Sequence, residues 1–308
     1  MEQILQKIQP AVIIIFMAGN LLEVGLRLQV SEARRAIRDV RFVLVSLLWC
    51  FVLGPALAVL LTKIIPLDEP YALGLLLLAL SPCSPALPAM MRRSGGSLAY
   101  MSAFMMVAFA GTVVLMPIMV PWLATGFTAD AWTIAKPLLF FIVVPLIIGL
   151  IIRRFSETFA EKLAPIVRKV AGLDTLLLGV VLLWLYRAEI FGAVGTYAIG
   201  TELLYYAVLG VAAYFLGFGF SYDQKAPMVL GTCTRNVGPA LTTSLAVVGA
   251  PRGAIAMCAV ASFLGAILSG YTAAAVLKRF CAPPAASTSD RGYTEDAHPH
   301  ERSNYEWS

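Results

Sequence analysis

Thr232-Cys233-Thr234-Arg235-Asn236-Val237-Gly238-Pro239 interrupts an apolar stretch running from 226 to 249, and Ser81-Pro82-Cys83-Ser84-Pro85 interrupts another between 70 and 91. Proline and glycine break the helical hydrogen-bond ladder, and a guanidinium at mid-span costs on the order of 3 kcal/mol or more unless it is paired or hydrated. Unwound backbone survives at that depth only where it faces protein or a water-filled cavity, which is where transporters hold their cargo. The two breaks occupy corresponding places in the two halves of the chain, so their pairing decides the architecture.

Composition gives the class. The 308 residues are 59% hydrophobic and 13% charged, with a mean hydropathy of +0.82, as expected for an all-α polytopic membrane protein. About nine spans are predicted, at 10–28, 41–62, 70–91, 98–123, 134–153, 167–187, 202–220, 226–249 and 253–278. They form one transmembrane domain over residues 1–281. Met1 to Gln9 carries neither a basic n-region nor a small-residue cleavage site, so the first span is expected to be retained. From Ala282 to Ser308 the chain turns Pro-, Ser- and Glu-rich and loses periodicity, the composition of a disordered cytoplasmic tail. His298 and His300 flank Pro299 in that tail and read as solvated residues rather than metal ligands.

Arg34, Arg35, Arg38 and Arg41 follow the first span, Arg92 and Arg93 the third, and Arg153, Arg154, Lys162, Arg168 and Lys169 the fifth. Lys225 follows the seventh span, and Lys278 and Arg279 the ninth, whereas the intervening loops carry single charges (Lys7, Lys63, Lys136, Arg187, Arg252). This alternation places the N-terminus outside and the C-terminus in the cytoplasm, and a bacterial inner (plasma) membrane is the expected location. The net charge of +5 and pI near 9 reflect that orientation, so no nucleic-acid partner is implied.

The third and eighth spans differ by five places in the order of spans, an odd number, and therefore cross the bilayer in opposite directions. Spans one to four and six to nine are then expected to form inverted repeats, with the fifth as an extra element. Cys83-Ser84-Pro85-Ala86-Leu87 echoes Cys233-Thr234 followed by Pro239-Ala240-Leu241. Inverted repeats with two crossing discontinuous helices are the signature of a secondary transporter whose site lies near the bilayer midplane.

The candidate substrate- or ion-binding residues lie in the breaks: Ser81, Cys83, Ser84, Pro85, Cys233, Thr234, Arg235 and Asn236. Backbone carbonyls and side-chain oxygens of an unwound segment can together coordinate an ion or cargo. Most hydroxyls elsewhere in the spans, such as Thr232, Thr242, Thr243 and Ser244, are expected to bond back to their own backbone. The acids available to neutralise Arg235 are Glu23, Asp174 and Glu202. Glu23 is expected to pair instead with Arg27 at i+4, and Asp174, at the start of the sixth span, is expected to be a helix-terminal cap or dipole partner, with a proton carrier as the alternative. A Cys83–Cys233 thiol pair would suit a soft metalloid, while two small apolar residues at a crossing is the plainer account. The five cysteines show no disulfide or zinc spacing. No phosphate-binding loop, dinucleotide fingerprint, nucleophile elbow or metalloprotease helix is present, so neither an enzyme nor an ATP-driven pump is expected, and no cofactor.

Over roughly residues 10–280 the chain resembles the bile acid:sodium symporter family, part of a wider superfamily that includes arsenite efflux carriers. Val24-Gly25-Leu26-Arg27-Leu28, the break at Ser81 to Pro85, Gly96-Ser97-Leu98-Ala99 and Arg235-Asn236-Val237-Gly238 fall in the family's order and spacing. The resemblance implies a bile acid symporter-like transporter fold, a core domain moving against a panel domain, and organic-anion cargo driven by sodium. It also implies sodium ligands that this chain lacks. Ala86-Leu87-Pro88-Ala89-Met90 replaces a Ser-Asn pair, Gly231 stands in place of a glutamate, and Arg235 replaces a glutamine. Asn236 alone carries over.

The expected function is thus secondary transport of a small organic anion by alternating access. Arg235 substitutes for sodium ligands, and sodium or proton coupling is left open. The alternatives are a metalloid carrier using Cys83 with Cys233, and a non-transporting ligand-binding receptor or scaffold. The expected partners are the anion and the bilayer, with a homodimer left open.

Overall fold

A computed structural model describes residues 2–28, 30–123, 130–246 and 251–281. The segment from Ala282, with His298 and His300, lies outside the described residues. Helices stand at all nine predicted ranges: α1 (Glu2–Arg27), a short α2 (Val30–Ile37), α3 (Val40–Ile64), the pair α4 (Glu69–Ala79) and α5 (Leu87–Ser94), and α6 (Leu98–Leu123). There follow α7 (Ala131–Phe155), α8 (Glu157–Leu185), a short α9 (Arg187–Ala193), α10 (Ala198–Phe215), the pair α11 (Tyr222–Thr232) and α12 (Val237–Ala246), and α13 (252–281). Helices α1, α3, α6, α7 and α10 are each long and apolar enough to cross a membrane unaided. The chain is an all-α polytopic membrane protein.

Local chemistry explains the helix ends. Asp39, Asp130 and Ser156 cap α3, α7 and α8 by accepting backbone N–H bonds from Phe42, Thr133 and Phe159. The Ser156 cap starts α8 well before the apolar run that the sequence marks. Asp174 is consequently in the middle of a continuous helix, and the expectation that it caps one is corrected. Helices α3 and α7 each contain one π-helical turn, at Trp49–Leu53 and Leu139–Val143, with Pro55 and Pro145 just beyond. A proline cannot donate to the carbonyl four residues back, and the ladder shifts to a wider register, as in the Gly54 N–H bond to the Trp49 carbonyl.

The helices pack as two bodies. In the first, α1 lies against α7 and α8, with Gly25 opposite Gly149 and Gly19 opposite Ala171. Small residues let backbones approach closely where lipid offers no hydrophobic driving force for association. The outer face of α8 presents Leu173 and Leu176, 70% and 69% exposed, which suits acyl chains rather than water. The second body contains α3 to α6 and α10 to α13. There Gly74 of α4 touches Ala254 and Met257 of α13, and Gly231 of α11 packs on Phe104 of α6.

Both interrupted pairs belong to the second body, and they meet. The Cys83 N–H donates to the carbonyls of Gly231 (3.1 Å) and Thr234 (3.2 Å), and the Asn236 N–H donates to the Ser81 carbonyl (2.8 Å). Pro82 and Arg235 thereby form an isolated antiparallel bridge. Each break satisfies part of the other's freed backbone, as the absence of water at this depth demands. The geometry forces Cys83 to a φ of 71°, a left-handed conformation that L side chains seldom adopt.

Two stability predictions follow from close packing and from this backbone. Gly149→Leu should lower the melting temperature in detergent, by an overpacking cost of about 1–3 kcal/mol, because a Cβ there would sit 2.7 Å from the Leu22 carbonyl oxygen. Cys83→Gly should leave melting unchanged or raise it, whereas Cys83→Val should lower it, since a β-branched residue is strained at positive φ. Equal melting temperatures for the two Cys83 variants would contradict the strained crossing.

Candidate functional site

The crossing places Arg235 at the centre of the second body, 3% exposed. Its Nη2 donates to the Tyr205 hydroxyl on α10 at 2.6 Å, and its Nη1 approaches the Ala79 carbonyl at 3.4 Å. The guanidinium carbon also lies 5.1 Å from the centre of the Tyr205 ring. Ala79 is the last residue of α4, so its carbonyl belongs to the negative end of a helix dipole, a natural place for a cation. Gly54, just past the π turn of α3, leaves room for the head group: a Cβ there would come within 3.1 Å of Nη2. The Arg235 Nε is buried with no acceptor.

No carboxylate among the described residues forms an ion pair with Arg235. Glu23 pairs with Arg27 at 2.7 Å, as its i, i+4 spacing predicts. Asp174 of α8 is 8% exposed, and its Oδ2 is buried without a partner. Glu202 of α10 is fully buried. It accepts a hydrogen bond from the Tyr206 hydroxyl at 3.0 Å through Oε1, and its Oε2 has none. The interior therefore holds a desolvated cation whose compensation is two neutral dipoles and an aromatic face.

A cavity of about 350 Å³ separates the two bodies. Phe16 and Asn20 of α1 with Thr175, Leu178 and Leu182 of α8 line one side, and Ser84, Pro85, Ala86, Arg235 and Val237 line the other. Ala259 and Ser262 of α13 complete it. Of the residues singled out from sequence, Ser84, Pro85 and Arg235 face this space. Ser81 turns its hydroxyl back to the Leu77 and Leu78 carbonyls, and the Thr234 hydroxyl donates to the Leu230 carbonyl while accepting from the Ser84 N–H. Asn236 accepts from the Gly238 N–H through Oδ1, and its buried Nδ2 has no partner. Thr232, Thr242 and Ser244 bond back to their own helices, whereas Thr243, expected to do the same, turns its hydroxyl to the Met116 sulfur of α6 at 3.9 Å.

The two cysteines of the breaks have different surroundings. Cys83 is fully buried near Cys50 and Arg235. Cys233 packs on Gly210 and Ser269 and lines a separate apolar groove of about 540 Å³ between α10 and α13, where Cys83 is not among the lining residues. Among the described residues no group of three His, Cys, Asp or Glu side chains is placed to hold a metal ion. A carboxylate at position 231, as the resemblance would require for sodium, has no room: a Cβ on Gly231 would collide with the Phe104 ring. Sequence reasoning missed Tyr205 as the partner of Arg235. The only signal was a tyrosine pair, Tyr205-Tyr206, beside Glu202, and the same helix carries a second aromatic pair, Tyr214-Phe215.

The sequence model of the sodium bile acid symporter family matches residues 12–193, well over half of the chain. The match begins within α1, includes the first break and runs to the end of α9, and it stops before the second break and Arg235. A comparison with curated proteins finds no match. Apolar spans, two crossing discontinuous helices and the family match agree, and the chain belongs to the sodium bile acid symporter family, whose members are membrane transporters.

Proposed function

We propose that the protein is a secondary transporter of a small organic anion that needs no sodium, with Arg235 as a built-in cation where sodium would otherwise sit. The observation that carries this reading is the buried guanidinium of Arg235, a residue lining the cavity between the two bodies, with an unpaired Nε and no acid among the described residues within ion-pair distance. An uncompensated charge at that depth is functional by default. A cation fixed covalently in the crossing removes the need to recruit one from solution, and an arriving carboxylate or sulfonate supplies the acceptors that Arg235 lacks. The Phe104 ring against Gly231 supports the same reading, because it fills the space of a missing acidic ligand.

Alternating access would come from the crossing-bearing body moving against the body formed by α1, α7 and α8. Inverted repeats fit this arrangement, with α1 and α3 to α6 answering α8 and α10 to α13. The orientation proposed is N-terminus outside and basic loops in the cytoplasm. The side-chain contacts agree with the grouping of these loops at two opposite ends, and the excess of basic loops at one end carries the choice of side. Gln224 of α11 donates to Asp39 at the start of α3, and Arg93 stacks on Tyr271, at one end of the bundle. At the opposite end Arg252 pairs with Glu189 and Tyr71 donates to the Glu189 carbonyl. A cavity of this size favours compact anions such as benzenesulfonate over a steroid.

Proteoliposome uptake of short monocarboxylates, benzenesulfonate and taurocholate, measured in sodium and in choline media, tests the proposal. Uptake of a compact anion should be equal in the two media within twofold, and Arg235→Gln should reduce it at least tenfold. A steep sodium requirement, or full activity in Arg235→Gln, would contradict it.

A further inference from the structure

The seam between the two bodies holds a second cavity, of about 260 Å³, at the end of the bundle that carries most of the basic loops. It shares no lining residue with the cavity at Arg235, and its wall differs in kind. The first cavity sets one guanidinium among uncharged side chains. The second is faced by three: Arg27 of α1 and Arg153 of α7 from the first body, and Arg92 of α5 from the second. Glu161 of α8 is the only acid in this wall among the described residues, and Ser102 of α6 adds a hydroxyl. Arg92 and Leu98 are exposed, so the cavity opens to the surface.

Internal partners satisfy these guanidiniums only in part. Glu23 meets Arg27 at Nε (2.7 Å) and Glu157 meets Arg153 at Nη2 (2.6 Å), while the Arg153 Nη1 donates to the Leu26 carbonyl (2.9 Å). A guanidinium carries five N–H donors, so both keep donors to offer. Arg92 has no ion-pair partner among the described residues. Partial loss of hydration, with Arg168 and Arg27 nearby, pushes Arg92 below the ordinary arginine pKa, and Glu23 and Tyr271 oppose the shift. A cation of one body thus faces cations of the other across the seam, and like charges at close range repel.

We propose that this cavity is a phosphate site: a phosphate group, carried by a phospholipid headgroup or free in solution, seats between Arg92 on one wall and Arg27 and Arg153 on the other, and so bridges the two bodies. The tetrahedral oxygens of a phosphate spread acceptors in several directions, which suits guanidiniums arriving from opposite sides. Basic pockets between transmembrane helices, close to the membrane surface, are where anionic headgroups bind. A volume of this size takes the phosphate and its glycerol and leaves any acyl chains outside in the bilayer. The inference does not depend on what Arg235 binds.

The test is lipid retention by the full-length protein in detergent, read by native mass spectrometry after exposure to equal amounts of phosphatidylglycerol and an uncharged galactolipid that has no phosphate. The wild type should keep one phosphatidylglycerol per chain in preference to the galactolipid. Arg92→Gln should weaken that retention about tenfold, the effect of losing one charge-assisted hydrogen bond. Arg153→Gln or Arg27→Gln, on the opposite wall, should weaken it as well. Arg34→Gln, exposed on α2 and outside the cavity, should leave it within twofold. In a second arm, inorganic phosphate is titrated onto lipid-free protein at constant ionic strength while melting is followed. A rise in melting temperature that is lost in Arg92→Gln, without lipid retention, would identify the free ion as the ligand, and retention without such a rise would identify the headgroup. Retention unchanged in Arg92→Gln, or lost equally in Arg34→Gln, would overturn the proposal, as would the absence of both retention and a phosphate shift. Retention that responds to Arg92 alone would overturn the bridge between the bodies. Each of these failures leaves the transport reading of Arg235 intact.

Discussion

A single buried positive charge governs this architecture. Arg235 stands where two interrupted helices cross, and a desolvated guanidinium costs several kcal/mol unless its surroundings respond. The response uses the elements at hand: the C-terminal carbonyl of α4, the hydroxyl and ring of Tyr205, and the space left by Gly54 beside a π turn. None of these brings a formal negative charge. The compensation is incomplete in the physical sense that one buried donor, Nε, is left without an acceptor. On the proposed reading, a site with that imbalance would attract an anion, whereas a permanently ion-paired arginine would do so little.

The same charge explains why the crossing must be stiff. The Cys83 N–H reaches two carbonyls of the opposite break, the Asn236 N–H reaches the Ser81 carbonyl, and Cys83 accepts a strained φ to do so. These bonds tie the two half-helix pairs into one body. Contact with the other body differs in character: Gly238 meets Met17 of α1, and the cavity opens alongside. A rigid core bearing the charge, set against a panel stitched by Gly25 and Gly149, is the division of labour that alternating access requires. On that reading the binding geometry would stay fixed within one body, and movement would be left to the interface.

Most of the fold was legible in the sequence because its signals are strong and local. Long apolar runs, alternating basic loops and prolines at mid-span each report directly on the bilayer, and helices stand at every predicted span. The site was legible only in part. Arg235, Ser84 and Pro85 were found because a charge or a break at depth is conspicuous. Tyr205 was not, since a tyrosine in an apolar span is ordinary until its partner is known, and that partner lies 30 residues along the chain. Asp174 was misplaced because hydropathy marks where a helix enters the membrane, while the Ser156 cap that starts α8 lies among polar residues outside the apolar run. Which way each cysteine turns depends on packing against Gly210 and Cys50, distant in sequence, and no spacing rule encodes it.

The most direct test of the central claim is a high-resolution experimental structure of the protein with benzenesulfonate, prepared without sodium. The account predicts the sulfonate oxygens in the cavity between the two bodies, within hydrogen-bond distance of the Arg235 guanidinium. A structure in which the anion binds only when sodium is added, with a sodium ion in the crossing and Arg235 turned away from the cargo, would contradict it.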